Sequence, residues 1–162
     1  MKFLMVCLGN ICRSPLGEGV LRHKAESRGL AWEIDSAGTG SWHIGKPPFH
    51  MSQRIALKNG IDISRQRGRQ FERGDLAKFD RIYFMDRNNY EDAKRIAGNL
   101  WDESKCRLLL DELHPGGQIN VPDPYGYPET EFEKVFELIN AACEAIVVRY
   151  GRERDLGYLA KE

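Results

Sequence analysis

The sequence predicts an α/β fold, a three-layer sandwich in which a parallel sheet carries helices on both faces. Short apolar runs of strand length alternate with helical stretches along the chain. That order implies right-handed crossovers between parallel strands. The chain closes on a long amphipathic stretch, and its 162 residues are enough for one ordinary core with little room for a second. With no internal repeat, low-complexity block or linker, 1–162 reads as a single domain.

Lys2–Cys7 is an apolar run ending in a loop, as a buried strand does. Ser14–Arg28 carries Leu16, Val20 and Leu21 and stops at Gly29, a helix with glycine at its end. Ser14 reads as its N-cap, which places Pro15 in the tolerant first turn. Trp32–Ser36 alternates weakly and reads as the second strand. A helix over Met51–Asn59 stops at Gly60, and a short one over Asp75–Phe79 leads into the third strand, Arg81–Met85. Asp86–Ala97 is helical, with Tyr90, Ala93, Ile96 and Ala97 on one side. Cys106–Leu110 gives a fourth strand. From Thr130 to Tyr150, the residues Phe132, Val135, Phe136, Ile139, Cys143, Ile146 and Val147 follow the helical repeat. Beyond Gly151 the chain is mostly polar and is expected to fray. In such sheets the reactive site lies past the carboxyl ends of the strands, where Cys7 and Met85-Asp86 fall.

Composition excludes several classes. Lysine plus arginine number 24 and aspartate plus glutamate 24, so the net charge is zero and neither nucleic acid nor an acidic membrane is the default partner. The longest apolar run, Phe3–Leu8, is too short to span a bilayer, and no cleavage site follows it as in a secretory signal. Four cysteines, Cys7, Cys12, Cys106 and Cys143, do not make a disulfide framework, and no Cys-x-x-Cys pair is present. A reducing, cytoplasmic setting without a metal site is the expectation.

The chemistry concentrates in Val6-Cys7-Leu8-Gly9-Asn10-Ile11-Cys12-Arg13-Ser14-Pro15. This loop runs from a strand into a helix N-terminus, so the backbone N–H groups over Leu8, Gly9, Asn10, Ile11, Cys12, Arg13 and Ser14 lack helical partners and can converge on one anion. Gly9 and Asn10 reach left-handed angles cheaply and let the loop close. Such a cradle suits a tetrahedral dianion, and Arg13 adds a planar fork for two of its oxygens. Cys7 opens the loop, where the same positive field favours a thiolate nucleophile beneath a bound phosphorus. A lone cysteine at a strand end is ordinarily a small core residue. The full Cys-x₅-Arg-Ser pattern between a strand and a helix raises it above that reading. The alternative phosphate loop, Gly-x₄-Gly-Lys-Ser/Thr, is absent, and Gly38-x-Gly40 lacks the third glycine of a dinucleotide site and reads as a turn. Asp123-Pro124-Tyr125, in a loop stiffened by Pro122 and Pro128, offers the carboxyl that a departing oxygen needs.

Taken together, these segments resemble the low-molecular-weight protein tyrosine phosphatase family. The match includes Asp35-Ser36-Ala37-Gly38-Thr39, Arg69-Gln70, Phe79-Asp80 and Met85-Asp86, in order, from about Lys2 to Tyr150. The resemblance implies a central four-stranded parallel sheet and phosphotyrosine-containing proteins as substrates, turned over in two steps without metal or cofactor. It implies Cys7 as nucleophile, Arg13 as the oxygen clamp alongside the loop amides, and Asp123 as acid and then base. Ser14 would donate to the Cys7 sulfur, Asn10 and Ser36 would hold the loop, and Asp86 would support Arg13 electrostatically. Trp42 and Tyr125 would wall the aromatic ring. Where many relatives have a histidine in the asparagine–serine network, this chain has Gln66, and Tyr125 is followed by Gly126 instead of a second tyrosine. Arg65, Arg67, Arg69 and Arg73 read as a solvated basic face that favours acidic phosphopeptides if it has a function.

Two rivals share the fold. Arsenate reductase needs further cysteines on a mobile segment, and Tyr83–Glu91 has none. Protein-arginine phosphatase has a threonine where this loop has Ile11, and a bulky apolar residue suits an aryl phosphate better. A non-catalytic phosphate-binding module would keep the cradle but lack Cys7 or Asp123. Cys12 has two readings: packing beneath the loop, or a reversible disulfide with Cys7 under peroxide.

Overall fold

Strand β1 (Lys2–Cys7) sends alternate side chains into two hydrophobic layers. Phe3, Met5 and Cys7 enter one and Leu4 and Val6 the other. Phe3 through Val6 are fully buried, so β1 is an inner strand. In the computed structural model, which describes residues 1–159, with side chains to residue 152, β1 pairs in parallel with β2 (Glu33–Gly38) and β3 (Arg81–Phe84). Parallel β4 (Cys106–Leu108) joins β3 to complete the order β2-β1-β3-β4.

Helices α1 (Arg13–Ser27), α2 (His50–Lys58) and α5 (Glu129–Leu159) cover the face that carries Phe3, Met5, Tyr83 and Met85. Helices α3 (Asp75–Lys78) and α4 (Arg87–Ala97) cover the other, where Leu76, Ala93 and Ala97 meet Leu4, Val6, Ile82 and Phe84. The α/β sandwich with a four-stranded parallel sheet is the architecture the sequence predicts. The apolar stripe of α5 is buried throughout, from Phe132 to Val147. No helix among the described residues is long and apolar enough to cross a membrane.

Three local readings change. Ser14 is not the N-cap of α1: the helix starts at Arg13 after Cys12, and the Ser14 hydroxyl turns inward to other partners. Pro15 still sits in the first turn, where its missing N–H costs nothing. β4 ends at Leu108, because Leu109 and Leu110 leave the ladder in a 3₁₀ turn and bury in the α5-side core. Helix α5 continues past Tyr150 to Leu159 through the good helix formers Arg152, Glu153 and Arg154. The last three positions of the expected frayed tail lie outside the described residues.

The chain order places β2 and β3 on opposite sides of β1, so the sheet's topological switch falls beside the carboxyl end of β1. Gly38, at the end of β2, closes that corner. A Cβ there would lie 2.7 Å from the Leu8 carbonyl oxygen and 3.0 Å from the Asn10 nitrogen. Gly38→Ala is therefore expected to destabilise the protein by about 1–3 kcal/mol through overpacking and to depress activity by displacing the loop. Urea unfolding with parallel kinetics checks this, and unchanged stability and rate would refute the close approach.

Candidate active site

Residues 8–12 join β1 to α1, and their shape is set by one left-handed residue. Asn10 has φ of 56°. Gly9 does not share that conformation, contrary to the sequence reading. Its missing side chain instead makes room for His43, whose ring carbon Cδ2 would lie 3.2 Å from a Cβ at Gly9. The Asn10 N–H points to the Cys7 sulfur at 3.3 Å. The N–H groups of Leu8, Gly9, Ile11, Cys12, Arg13 and Ser14 have no acceptor among the described residues. A set of unpaired donors around a sulfur matches a tetrahedral anion.

A chain of side-chain hydrogen bonds holds this ring. Asn10 Nδ2 donates to Ser14 Oγ at 2.8 Å and to Ser36 Oγ at 3.0 Å, while Asn10 Oδ1 accepts from the Arg69 N–H at 3.0 Å. Ser14 Oγ, having accepted from Asn10, lies 3.0 Å from the Cys7 sulfur and 3.4 Å from the Ala37 carbonyl, to which it can donate. Ser36 donates onward to Glu18 Oε1 at 2.8 Å. Glu18 is buried, and burial pushes its carboxyl above the usual range against the pull of Arg22, which bonds Oε2 at 2.8 Å, and of Ser36. Gln66 does not enter the network. Its amide donates to the Pro15 carbonyl at 3.1 Å, and the place beside Ser36 belongs to Glu18.

Arg13 is 3% exposed. Its Nη1 donates to Asp86 Oδ2 at 2.7 Å and to the Val121 carbonyl at 2.9 Å. Burial alone would lower its pKa; Cys7, Asp86 and Asp123 outweigh it and raise the value. Asp86 Oδ1 caps α4 by accepting from the Asn89 N–H at 2.8 Å. Val121 donates its own N–H to the Met85 carbonyl at 2.7 Å, which fixes the following segment above the loop. Asp123 there is half-exposed, with Oδ2 3.8 Å from Arg13 Nη2 and Oδ1 accepting from the Tyr125 N–H.

These groups open onto a cleft of about 110 Å³ lined by Cys7, Leu8, Ile11, Arg13, Trp42, His43, Asp123 and Tyr125. Trp42 and Tyr125 stand exposed on its walls, with Phe49 behind Tyr125 at 5.3 Å between ring centroids. Larger hollows elsewhere, such as the one beside Glu112 and Arg149, hold no such donor ring. All the expected site residues thus meet in one place. Sequence reasoning missed Glu18, His43, Val121 and the backbone of Arg69. It also misread the Arg69 side chain, which is not solvated but bonds Asp35 at 2.9 Å and buried Asp75 at 3.1 Å.

A sulfur beneath unpaired loop amides, with a buried arginine and a facing carboxyl, forms a candidate anion-binding site at the edge of an α/β sheet. The comparisons with known proteins narrow the class. Residues 2–156 match the family model described as low molecular weight phosphotyrosine protein phosphatase. The low molecular weight protein-tyrosine-phosphatase YfkJ of Bacillus subtilis is 40% identical over 158 residues, covering 96% of this chain and 99% of that protein. Its crystal structure superposes with a TM-score of 0.86 at 39% identity, over 94% and 96% of the two chains. A Drosophila arginine phosphatase structure gives 0.84 at 32% identity, over 93% and 98%. The chain belongs to the low molecular weight phosphotyrosine protein phosphatase family, whose members are hydrolases.

The four thiols are free and differ in their surroundings. Burial, reinforced by Cys7 and Asp123, pushes Cys12 up to about 12. Burial does the same to Cys106 and Cys143, also to about 12. Values raised that far leave all three protonated and unreactive at pH 7. Brief iodoacetamide treatment at pH 7 should therefore label Cys7 alone, with inorganic phosphate protecting it. Peptide mass spectrometry reads this, and first labelling at Cys12 would contradict the geometry.

Proposed function

We propose that this chain hydrolyses phosphotyrosine monoesters in proteins through a phosphocysteine on Cys7, with residues 1–162 acting as one phosphatase domain. The protein is a protein tyrosine phosphatase. The observation that carries the mechanism is the Cys7 sulfur at the floor of the donor ring, with the Asn10 N–H turned toward it at 3.3 Å and Ser14 Oγ 3.0 Å away. Donors aimed at a sulfur favour its anionic form.

The thiolate attacks phosphorus and the bond to the tyrosine oxygen breaks. Arg13 and the amides of residues 8–14 hold the phosphoryl oxygens as charge builds on them. Asp123 gives its proton to the departing phenolic oxygen. Water then attacks the phosphocysteine, Asp123 takes the water's proton, and phosphate leaves as the Cys7 thiolate returns. Charge compensation comes from the guanidinium and the main chain, so no metal or cofactor is required. Asp86 steadies Arg13, Asn10 and Ser36 hold the loop, and Trp42 and Tyr125 sandwich the ring.

The rival readings fit less well. Cys106 lies on β4 and Cys143 on α5, so neither is placed as a resolving thiol for arsenate reduction. Ile11 lines the cleft, giving an aromatic ester an apolar contact that an arginine side chain does not need. Four free thiols fit a reducing cytoplasm.

Purified protein should hydrolyse phosphotyrosine far faster than phosphoserine or phosphoarginine and should not reduce arsenate. Cys7→Ser should abolish turnover. Asp123→Ala should slow phenyl phosphate by about 10²–10⁴-fold and a nitrophenyl ester less, since the better leaving group needs less proton. An Asp123→Ala enzyme with an unchanged rate on phenyl phosphate would remove Asp123 from the mechanism.

A further inference from the structure

The segment carrying Trp42 and His43 does not end at the cleft. It turns back, with the Lys46 N–H donating to the His43 carbonyl at 3.1 Å, and then runs against residues 67–69. The Gly45 N–H reaches the Gly68 carbonyl and the Gly68 N–H reaches the Lys46 carbonyl, each at 2.8 Å. Contact is so close that a Cβ on Gly68 would lie 2.3 Å from the His43 carbonyl oxygen. Lys46 and Arg67 are thereby fixed beside the cleft wall, next to Trp42 and Ile44, which are 66% and 58% exposed.

The charge on this ridge is not internally balanced. Arg69, one step further, is consumed by Asp35 and Asp75, and across the fold Lys58, Arg54 and Lys24 each hold a carboxylate. Lys46 and Arg67 have no carboxylate within ion-pair distance among the described residues. Arg67 is nevertheless held in place, its Nη1 donating to the carbonyls of Ser64 at 2.8 Å and Gln66 at 2.7 Å. Arg65 shares its loop with Asp62, whose charge it partly meets. In a chain of zero net charge, an anchored guanidinium and a lysine on an anchored backbone, neither with a carboxylate partner among the described residues, stand beside an exposed apolar pair as a local feature.

Resting on the phosphotyrosine reading above, we propose that Lys46 and Arg67, with Trp42 and Ile44 beneath, form a docking ridge for acidic residues flanking the phosphotyrosine. An extended peptide advances about 3.3 Å per residue, so side chains two or three places from a phosphotyrosine seated in the cleft pass over this ridge. Aspartate or glutamate there meets Lys46 and the unused edge of the Arg67 guanidinium, and apolar parts of the peptide lie on Trp42 and Ile44. The ridge selects among phosphoproteins without taking part in the chemistry.

The test uses synthetic phosphotyrosine peptides with glutamate, alanine or lysine at the flanking positions, and p-nitrophenyl phosphate as the unflanked reference. Wild-type protein should prefer the glutamate peptides in kcat/KM, chiefly through KM, and the preference should shrink as salt rises. Lys46→Ala and Arg67→Ala should each reduce it by about two- to fivefold, and Lys46→Glu with Arg67→Glu should reverse it. All these variants should keep the wild-type rate on p-nitrophenyl phosphate. Equal rates on glutamate and alanine peptides, or a preference that survives the double charge reversal, overturns the docking ridge and leaves the phosphatase reading intact. Turnover of p-nitrophenyl phosphate without turnover of any phosphotyrosine peptide overturns both.

Discussion

The site is organised around a guanidinium that has almost no water. An ion so deeply buried persists only where opposite charge and hydrogen bonds replace its hydration. Asp86 and the Val121 carbonyl do this for Arg13, at 2.7 and 2.9 Å. Their positions tie three distant parts of the chain together: α1 through Arg13, the start of α4 through Asp86, and the loop after residue 120 through Val121. Taking one partner from such a pair typically costs about 3–5 kcal/mol, so this contact constrains the fold as well as the chemistry. Asp123 hangs over the cleft because Val121, two residues earlier, is anchored at both its N–H and its carbonyl.

A second constraint acts from the opposite side. The left-handed turn at Asn10 is stabilised by bonds from both ends of its amide, and each partner is itself held. Arg69, whose N–H meets Asn10, has its side chain fixed by Asp35 on β2 and Asp75 on α3. Ser36 is on β2 and Glu18 on α1. Glu18 when ionised can only accept, and this sets the direction of the chain: Ser36 gives its proton to Glu18 and therefore accepts from Asn10. The same Asn10 amide donates to Ser14 Oγ, which lies 3.0 Å from the Cys7 sulfur. A carboxylate two links from Asn10 thus determines which way the Ser36 hydroxyl points.

Much of this was legible in the sequence, and what was not has a physical cause. The loop from Cys7 to Ser14 is contiguous, so its donors and its arginine could be read together, and the alternation of strands and helices gave the sheet. Asp86 and Asp123 followed from resemblance. Glu18 and the Arg69–Asp75 pair were not legible, because a buried ion pair looks in sequence like any surface charge until the fold brings the partners together. Ser14 was misread for a related reason: serine before proline is a sound local N-cap, but tertiary hydrogen bonds outbid the local one. Gly9 was assigned to backbone freedom when its true constraint is the His43 ring, a neighbour 34 positions away that no local rule reveals.

Burial does not distinguish Cys7 from the other cysteines. Cys7 and Cys12 are 3% and 4% exposed, and both belong to the same loop. Cys12 and its counterparts on β4 and α5 are desolvated with little to offset the cost of a charge, and their thiols rise accordingly. Around Cys7 a main-chain N–H points at the sulfur, Ser14 Oγ lies 3.0 Å from it, and Asp86 holds the neighbouring guanidinium. Equal exclusion of water thus leaves the two sulfurs of one loop in different polar surroundings. What differs between them is where the polar groups point, and the hydrogen-bond chain from Glu18 through Ser36 and Asn10 to Ser14 fixes that arrangement from outside the cleft.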